Sequence, residues 1–98
     1  MLTRIVKMTF QPDEIDQFLS VFNHYKTRIR HSEGCLHLAL LQDANSAHIF
    51  YTYSHWEAAS YLEKYRQSSL FKEVWGKTKL LFQDKPEAFS AQEVMKVT

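Results

Sequence analysis

Between Cys35 and Gln42 the chain reads Cys-Leu-His-Leu-Ala-Leu-Leu-Gln, apolar everywhere except His37 and the closing Gln42. As a strand, this segment sets Leu36, Leu38 and Leu40 on one face and Cys35, His37, Ala39 and Leu41 on the other. A strand that is apolar on both faces has to be covered on both. In a chain of 98 residues, expected to form one domain over residues 1–98, helices are numerous enough to cover one side of a sheet. The other side then calls for a second subunit, with two sheets closing into a barrel. A homodimer is therefore expected.

The remaining segments supply the sheet and its helices. Leu2 to Phe10 alternates, with Leu2, Val6, Met8 and Phe10 on one face and Thr3, Lys7 and Thr9 on the other. Ile5 falls on the polar side of that strand and Arg4 on the apolar side. Gln11-Pro12-Asp13-Glu14 opens a helix, because proline suits the first helical position and acids suit the positive end of the dipole. Ile15, Phe18, Leu19, Phe22, Tyr25 and Ile29 follow at helical spacing as one apolar stripe, and Gly34 is the natural stop. Asp43-Ala44-Asn45-Ser46 reads as a hairpin turn between the strand 35–42 and a third strand from Ala47 to Tyr53.

The segment Ile49 to Leu62 runs from an aromatic, β-branched strand into a helix expected over about 55–65. Ser54 and Glu57 have the spacing of a capping box, which would put Trp56 in the first helical turn. Ala58, Tyr61, Leu62 and Tyr65 are its expected inner face. A Ser in Gln67-Ser68-Ser69 caps a further helix over about 70–82, with Phe71, Val74, Trp75, Thr78 and Leu81 inward. Glu87 to Lys96 alternates again as a last strand. The order β-α-β-β-α-α-β is an α+β, ferredoxin-like arrangement with an antiparallel sheet and its second helix broken in two.

Composition excludes several functions. The net charge of +1, with acids and bases interspersed, does not build the clustered basic surface that nucleic acid needs. Arg28, Arg30 and His31 do cluster, at a helix C-terminus where cations complement the dipole. A chain with two glycines has no phosphate-cradling loop. The five histidines show no H-x-x-x-H or H-E-x-x-H spacing, so no metal site is expected. Cys35 is alone and reads as a small buried hydrophobe rather than a reactive thiol. No stretch is apolar enough to span a membrane, and strand-like sequence at Met1 leaves no room for a cleaved leader. The expected location is the cytoplasm.

Taken together, the hairpin, the strand ending in Tyr53-Ser54-His55-Trp56, Leu62, Ser68-Ser69-Leu70-Phe71 and Lys85-Pro86-Glu87 resemble the antibiotic biosynthesis monooxygenase (ABM) domain family of dimeric α+β barrels. The resemblance covers nearly the whole chain. The family's pattern is Tyr-Glu-x-Trp, a helix with Ala-Leu and a His, then Ser-Pro-His-Phe. Trp56, Leu62, Ser68 and Phe71 match it. Ser54, Tyr65 and Leu70 stand where the family usually has Glu, His and His. The haem-degrading branch uses an Asn, a Trp and a His. Here the His position is Leu70 and the first strand has no Asn, so the resemblance does not extend to haem degradation.

What the resemblance implies is a cofactor-independent monooxygenase that oxidises a small phenol or quinol with O2. That chemistry needs a dry aromatic pocket and a group to take the phenolic proton. Trp56 is the expected pocket wall, or else core filling. His37, whose imidazole titrates near neutrality, is the candidate base, or else a satisfied barrel histidine. Tyr51, Tyr53 and Tyr65 are candidates to hydrogen-bond a phenolic or quinone oxygen, with Phe71 as a further contact, although aromatics on a sheet also pack against one another. The alternative is a non-catalytic dimeric barrel that binds a small hydrophobic ligand or acts as a regulatory module. A purely structural module would have no pocket at all.

Overall fold

A computed structural model describes residues Met1–Thr98. Its strands are Leu2–Thr9 (β1), Cys35–Gln42 (β2), Ile49–Trp56 (β3) and Glu87–Gln92 (β4). Its helices are Ile15–Arg30 (α1), Ala59–Arg66 (α2) and Ser69–Thr78 (α3), with 3₁₀ turns at Pro12–Glu14 and Lys79–Leu81. The four strands form one sheet in the order β2-β3-β1-β4, with every neighbouring pair antiparallel. This is the ferredoxin-like α+β arrangement, with the helices on one face.

Local chemistry accounts for most of the boundaries. Pro12 leads into α1 with Asp13 and Glu14 in the first turn, and Arg28 and Arg30 close it. Gly34 has φ of 81°, a left-handed conformation that L side chains rarely adopt, and it turns the chain into β2. The Asp43 carboxylate accepts from the backbone N–H of Asn45 and Ser46, each at 3.0 Å, and builds the β2–β3 turn. The Tyr51 hydroxyl donates to the same carboxylate at 2.7 Å. That bond and the turn's N–H groups hold the Asp43 carboxyl below the usual carboxylate range. Ser68 Oγ accepts from the Phe71 N–H at 3.1 Å as the N-cap of α3, an interaction worth about 1 kcal/mol.

Three sequence expectations are corrected. Trp56 is the last residue of β3 and not part of a helix. The β1–β3 ladder runs on to the pair Leu2↔Trp56, and α2 begins only at Ala59 behind an uncapped Ala58. Continued strand pairing prevails over the capping box, and the Glu57 N–H donates to Gly34 O at 2.8 Å instead. In β2, the register shifts between Cys35 and His37, so Leu36 is an extra residue bulged out of the ladder. The bulge returns Cys35 to the helix side, 6% exposed, and leaves Leu36 48% exposed. In α1, Val21 rather than Leu19 completes the buried stripe with Phe18, Tyr25 and Ile29, because Leu19 lies off the seam facing the sheet.

The helix-side core is divided. Met8, Phe10, Phe18, Phe50 and Leu81 form its largest cluster. Phe10 is fully buried there, its ring 4.0 Å from Phe18 and 5.2 Å from Phe82. Leu2, Cys35, Trp56 and Leu62 form a second cluster, and Val21, Tyr25 and Ile29 a third. The other face of the sheet carries Ile5, Ala39, Leu41, Tyr53 and Phe89, and no helix of the chain covers it. No helix is long and apolar enough to cross a membrane.

Candidate functional site

Where the three clusters fail to meet, a cavity of about 280 Å³ opens between sheet and helices. Strand alternation decides its floor. Arg4, Val6 and Met8 of β1, Thr52, Ser54 and Trp56 of β3 and Leu38 of β2 all point to the helix side. The roof comes from Phe18, Phe22 and Ile29 of α1, Leu62, Tyr65 and Arg66 of α2, and Phe71, Val74, Trp75 and Thr78 of α3. An apolar cavity of ~150 Å³ accepts a benzene ring, so this one admits a compound of one or two rings. No histidine lines it.

An aromatic chain forms one wall. Trp56 stacks on Tyr65 with centroids 5.3 Å apart and planes at 24°. Tyr65 meets the edge of Phe71 at 5.3 Å, and Phe71 stacks on Trp75 at 5.8 Å. Trp56 is 1% exposed, and its Nε1–H donates to Ser54 Oγ at 3.0 Å. Ser54 Oγ lies 3.5 Å from Arg4 O, its own acceptor. A Glu at position 54 would bring a carboxylate to this indole. The serine here satisfies the N–H without adding charge.

The electrostatics are one-sided. Burial pushes the Tyr65 phenol well above the usual tyrosine range. Burial likewise raises the Cys35 thiol, which packs behind Trp56 and does not line the cavity. No Asp, Glu, His, Cys or Lys lines the cavity. Its only charges are the guanidinium groups of Arg4 and Arg66. Nowhere in the chain do three His, Cys, Asp or Glu side chains converge on a metal-sized point.

Trp56, Tyr65 and Phe71 are thus brought together. His37, Tyr51 and Tyr53 are not. They belong to the opposite face of the sheet, where Tyr53 lies 4.8 Å from His55 and 5.6 Å from His37 between ring centroids. Thr3 Oγ1 is 3.1 Å from His55 Nδ1 in the same group. Strand parity puts His37 and Trp56 on opposite faces of the sheet. His37 pairs with His55, one residue from Trp56, and so points the other way. As the last residue of β3, Trp56 follows the alternation that separates it from Tyr51 and Tyr53. Arg4, Arg66, Thr52 and Trp75 are not among the site residues expected from sequence, although Trp75 is among the inward positions expected for α3. Arg4 carried a signal, as a charge on the apolar side of β1. Arg66 carried none, because its approach to Arg4 depends on where α2 lies on the sheet.

Comparison with known proteins agrees with this architecture. The profile of the family described as Antibiotic biosynthesis monooxygenase matches residues 1–75. No curated protein sequence matches the chain. Among solved structures, one described as an antibiotic biosynthesis monooxygenase superposes with a TM-score of 0.90 at 18% identity, over 97% of this chain and 100% of that one. A conserved protein from Methanosarcina mazei Go1 superposes at 0.88 with 18% identity, over 95% and 93% of the two chains. A Mycobacterium tuberculosis protein does so at 0.88 with 13% identity, over 99% and 98%. At these identities the superpositions speak for the fold, while the profile match spans three quarters of the sequence. The chain belongs to the antibiotic biosynthesis monooxygenase (ABM) family.

Proposed function

We propose that this protein oxidises a small phenol or quinol of one or two rings with O2, without a cofactor, in the cavity between sheet and helices. The observation that carries the proposal is the wall of Trp56, Tyr65 and Phe71 around an apolar space of about 280 Å³. For a phenol the balance is phenol plus O2 giving quinone plus water. For a quinol it is quinol plus O2 giving quinone plus hydrogen peroxide. Trp56, Tyr65 and Phe71 hold the ring, and the Tyr65 hydroxyl donates to its oxygen.

The test is O2 uptake by the purified protein across a panel of phenols and hydroquinones. Trp56→Phe runs beside it, because phenylalanine preserves more of the fold than alanine. Wild-type uptake that falls about tenfold or more in the variant supports the proposal, since small misplacements of a reacting ring cost that much. Uptake equal to the protein-free control across the panel overturns it.

The absence of a proton-accepting side chain in the cavity favours a second reading, a barrel that retains a hydrophobic ligand without turnover. It predicts ligands that raise Tm and are recovered unchanged. A panel ligand consumed with O2 counts against it.

We further propose a homodimer formed through the uncovered sheet face, where Phe89 is 54% exposed and Leu41 48% exposed beside Ile5, Ala39 and Tyr53. Contiguous exposed apolar area of this kind on a sheet face marks an interaction surface. In sedimentation analysis the wild type is expected to run as a dimer and Phe89→Glu as a folded monomer. A monomeric wild type overturns the dimer and leaves the cavity proposal intact.

A further inference from the structure

Arg4 is the anomaly of the cavity floor. It sits on the helix face of β1 between Leu2 and Val6, in register with Ser54 of β3 and Ser90 of β4. Its Nη1 donates to Ser90 Oγ at 2.8 Å, and none of the chain's four ion pairs includes it. A guanidinium on the inner face of a sheet ordinarily reaches water or a carboxylate. This one is half-buried, bonds Ser90 at the exposed β4 edge and lines a cavity whose residues from α1, α3, β3 and β4 are uncharged.

The second guanidinium makes the arrangement one-sided. Arg66, in the last turn of α2, lines the same cavity. The charged groups facing Arg4 are Arg66 and Glu63, both from α2. Glu63 is already engaged, 3.4 Å from Arg66. Burial first, and then Arg66, pull Arg4 below the usual arginine range, with Glu63 opposing them. Arginine nevertheless stays charged in proteins. Two cations therefore stand at one end of an otherwise uncharged cavity, with the one nearby carboxylate, Glu63, paired to Arg66. An anion entering that end relieves the imbalance.

Deprotonation points the same way. A phenol that enters the cavity meets no carboxylate, imidazole, thiolate or amine to take its proton. The proton must leave to solvent, so the site has to favour the anion itself.

We propose that Arg4, assisted by Arg66, binds the oxyanion of an aryl ligand whose ring lies against Trp56, Tyr65 and Phe71. The ligand class is an aromatic ring bearing an acidic oxygen, as a phenolate or a carboxylate. This inference rests on the cavity reading above and narrows its substrate class. Charge-assisted bonds from guanidinium to such an oxygen are roughly twice as strong as neutral ones. The floor also grades away from Arg4 and Ser54 through Val6 and Thr52 to Met8, which places the apolar end of the ligand toward the Phe10 cluster.

The test uses 4-nitrophenol, whose phenolate has its own visible absorption, with 4-nitroanisole as its neutral counterpart. Benzoate and benzamide form a second pair that separates the carboxylate from the phenolate source. Wild-type protein is expected to lower the pKa of bound 4-nitrophenol by about one unit, a tenfold preference for the phenolate. Arg4→Met, which keeps the aliphatic stem, is expected to abolish that shift while binding 4-nitroanisole as well as wild type does. Arg66→Gln is expected to reduce the shift in part and is the second reading should Arg4→Met fail to fold. Two results overturn the proposal. One is a bound pKa equal to or above the free value with 4-nitroanisole still binding, which leaves the cavity reading standing. The other is a shift retained in Arg4→Met. If neither nitroaryl compound nor either benzoyl compound binds, the cavity reading falls together with this one.

Discussion

Trp56→Ala is expected to lower the unfolding free energy by roughly 3–5 kcal/mol, the range for emptying a large aromatic from a packed site. Trp56 is 1% exposed and sits where β1, β2 and β3 converge, in register with Leu2 on one side and Cys35 on the other. Removing the indole takes away the stack on Tyr65, the contacts to Leu2, Cys35 and Leu62, and the Nε1–H donated to Ser54 Oγ. The void also joins a cavity that is already present, so the neighbours gain little by collapsing into it. A domain of this size is stable by ~5–15 kcal/mol, so the loss is a large fraction of the total. Urea titration checks this. A loss under about 1.5 kcal/mol, below the range for aromatic truncation, would show that Trp56 is a replaceable wall and not part of the core. Trp56→Phe, which keeps a ring and loses the Nε1–H bond, is expected to lose much less. That is why it is the variant for O2 uptake.

Gly34→Ala is the second large effect, expected at roughly 2–5 kcal/mol from two separate causes. The left-handed φ of 81° penalises any Cβ. The added Cβ would also fall onto Cβ, Cγ and Cδ2 of Tyr61, atoms too close to the α2 backbone to swing aside. Gly34 O accepts the Glu57 N–H at 2.8 Å, so a displaced Gly34 disturbs both the start of β2 and the β3–α2 connection. The internal control is Gly76→Ala. Gly76 lies within α3, where an added Cβ meets nothing within 4 Å, and removing a helical glycine there is expected to stabilise by about 0.5–1 kcal/mol. Opposite signs at the two glycines by chemical denaturation support the conformational account. A Gly34→Ala variant as stable as wild type would refute it.

Particular residues show how far the chain was legible. The alternation of Leu2, Met8 and Phe10 identified the core face of β1. Pro12, Gly34, Asp43 and Ser68 punctuated the chain where the structure turns or caps it. These signals are local, because a two-residue or 3.6-residue period and the φ preference of a single residue are carried in neighbouring positions. Inward positions of α3 were equally readable, and Phe71, Val74, Trp75 and Thr78 do face the cavity. Failures occurred where a local preference competed with a distant partner. Ser54 and Glu57 had the spacing of a cap, but Trp56 was claimed by Leu2, 54 positions earlier. Cys35 had the wrong parity for the core until a bulge at Leu36 corrected it, and bulges leave no reliable mark in composition.

The candidate site divides along the same line. The aromatic character of 49–56, the family resemblance carried by Trp56, Leu62, Ser68 and Phe71, and the oddity of Arg4 are all written in the residues. Which of them share a cavity is a matter of sheet parity and helix placement. A shift of one residue moves a side chain through the full thickness of the sheet, so Trp56 and His37 separate while Trp56 and Tyr65 meet. The sequence alone determined the order of elements and the inward positions of α3, since these follow from local periodicity and burial. Only the tertiary structure decided that Arg4 and Arg66, from opposite ends of the matched region, face the same apolar space. Their proximity is a property of how α2 docks on the sheet, and no local interaction encodes it.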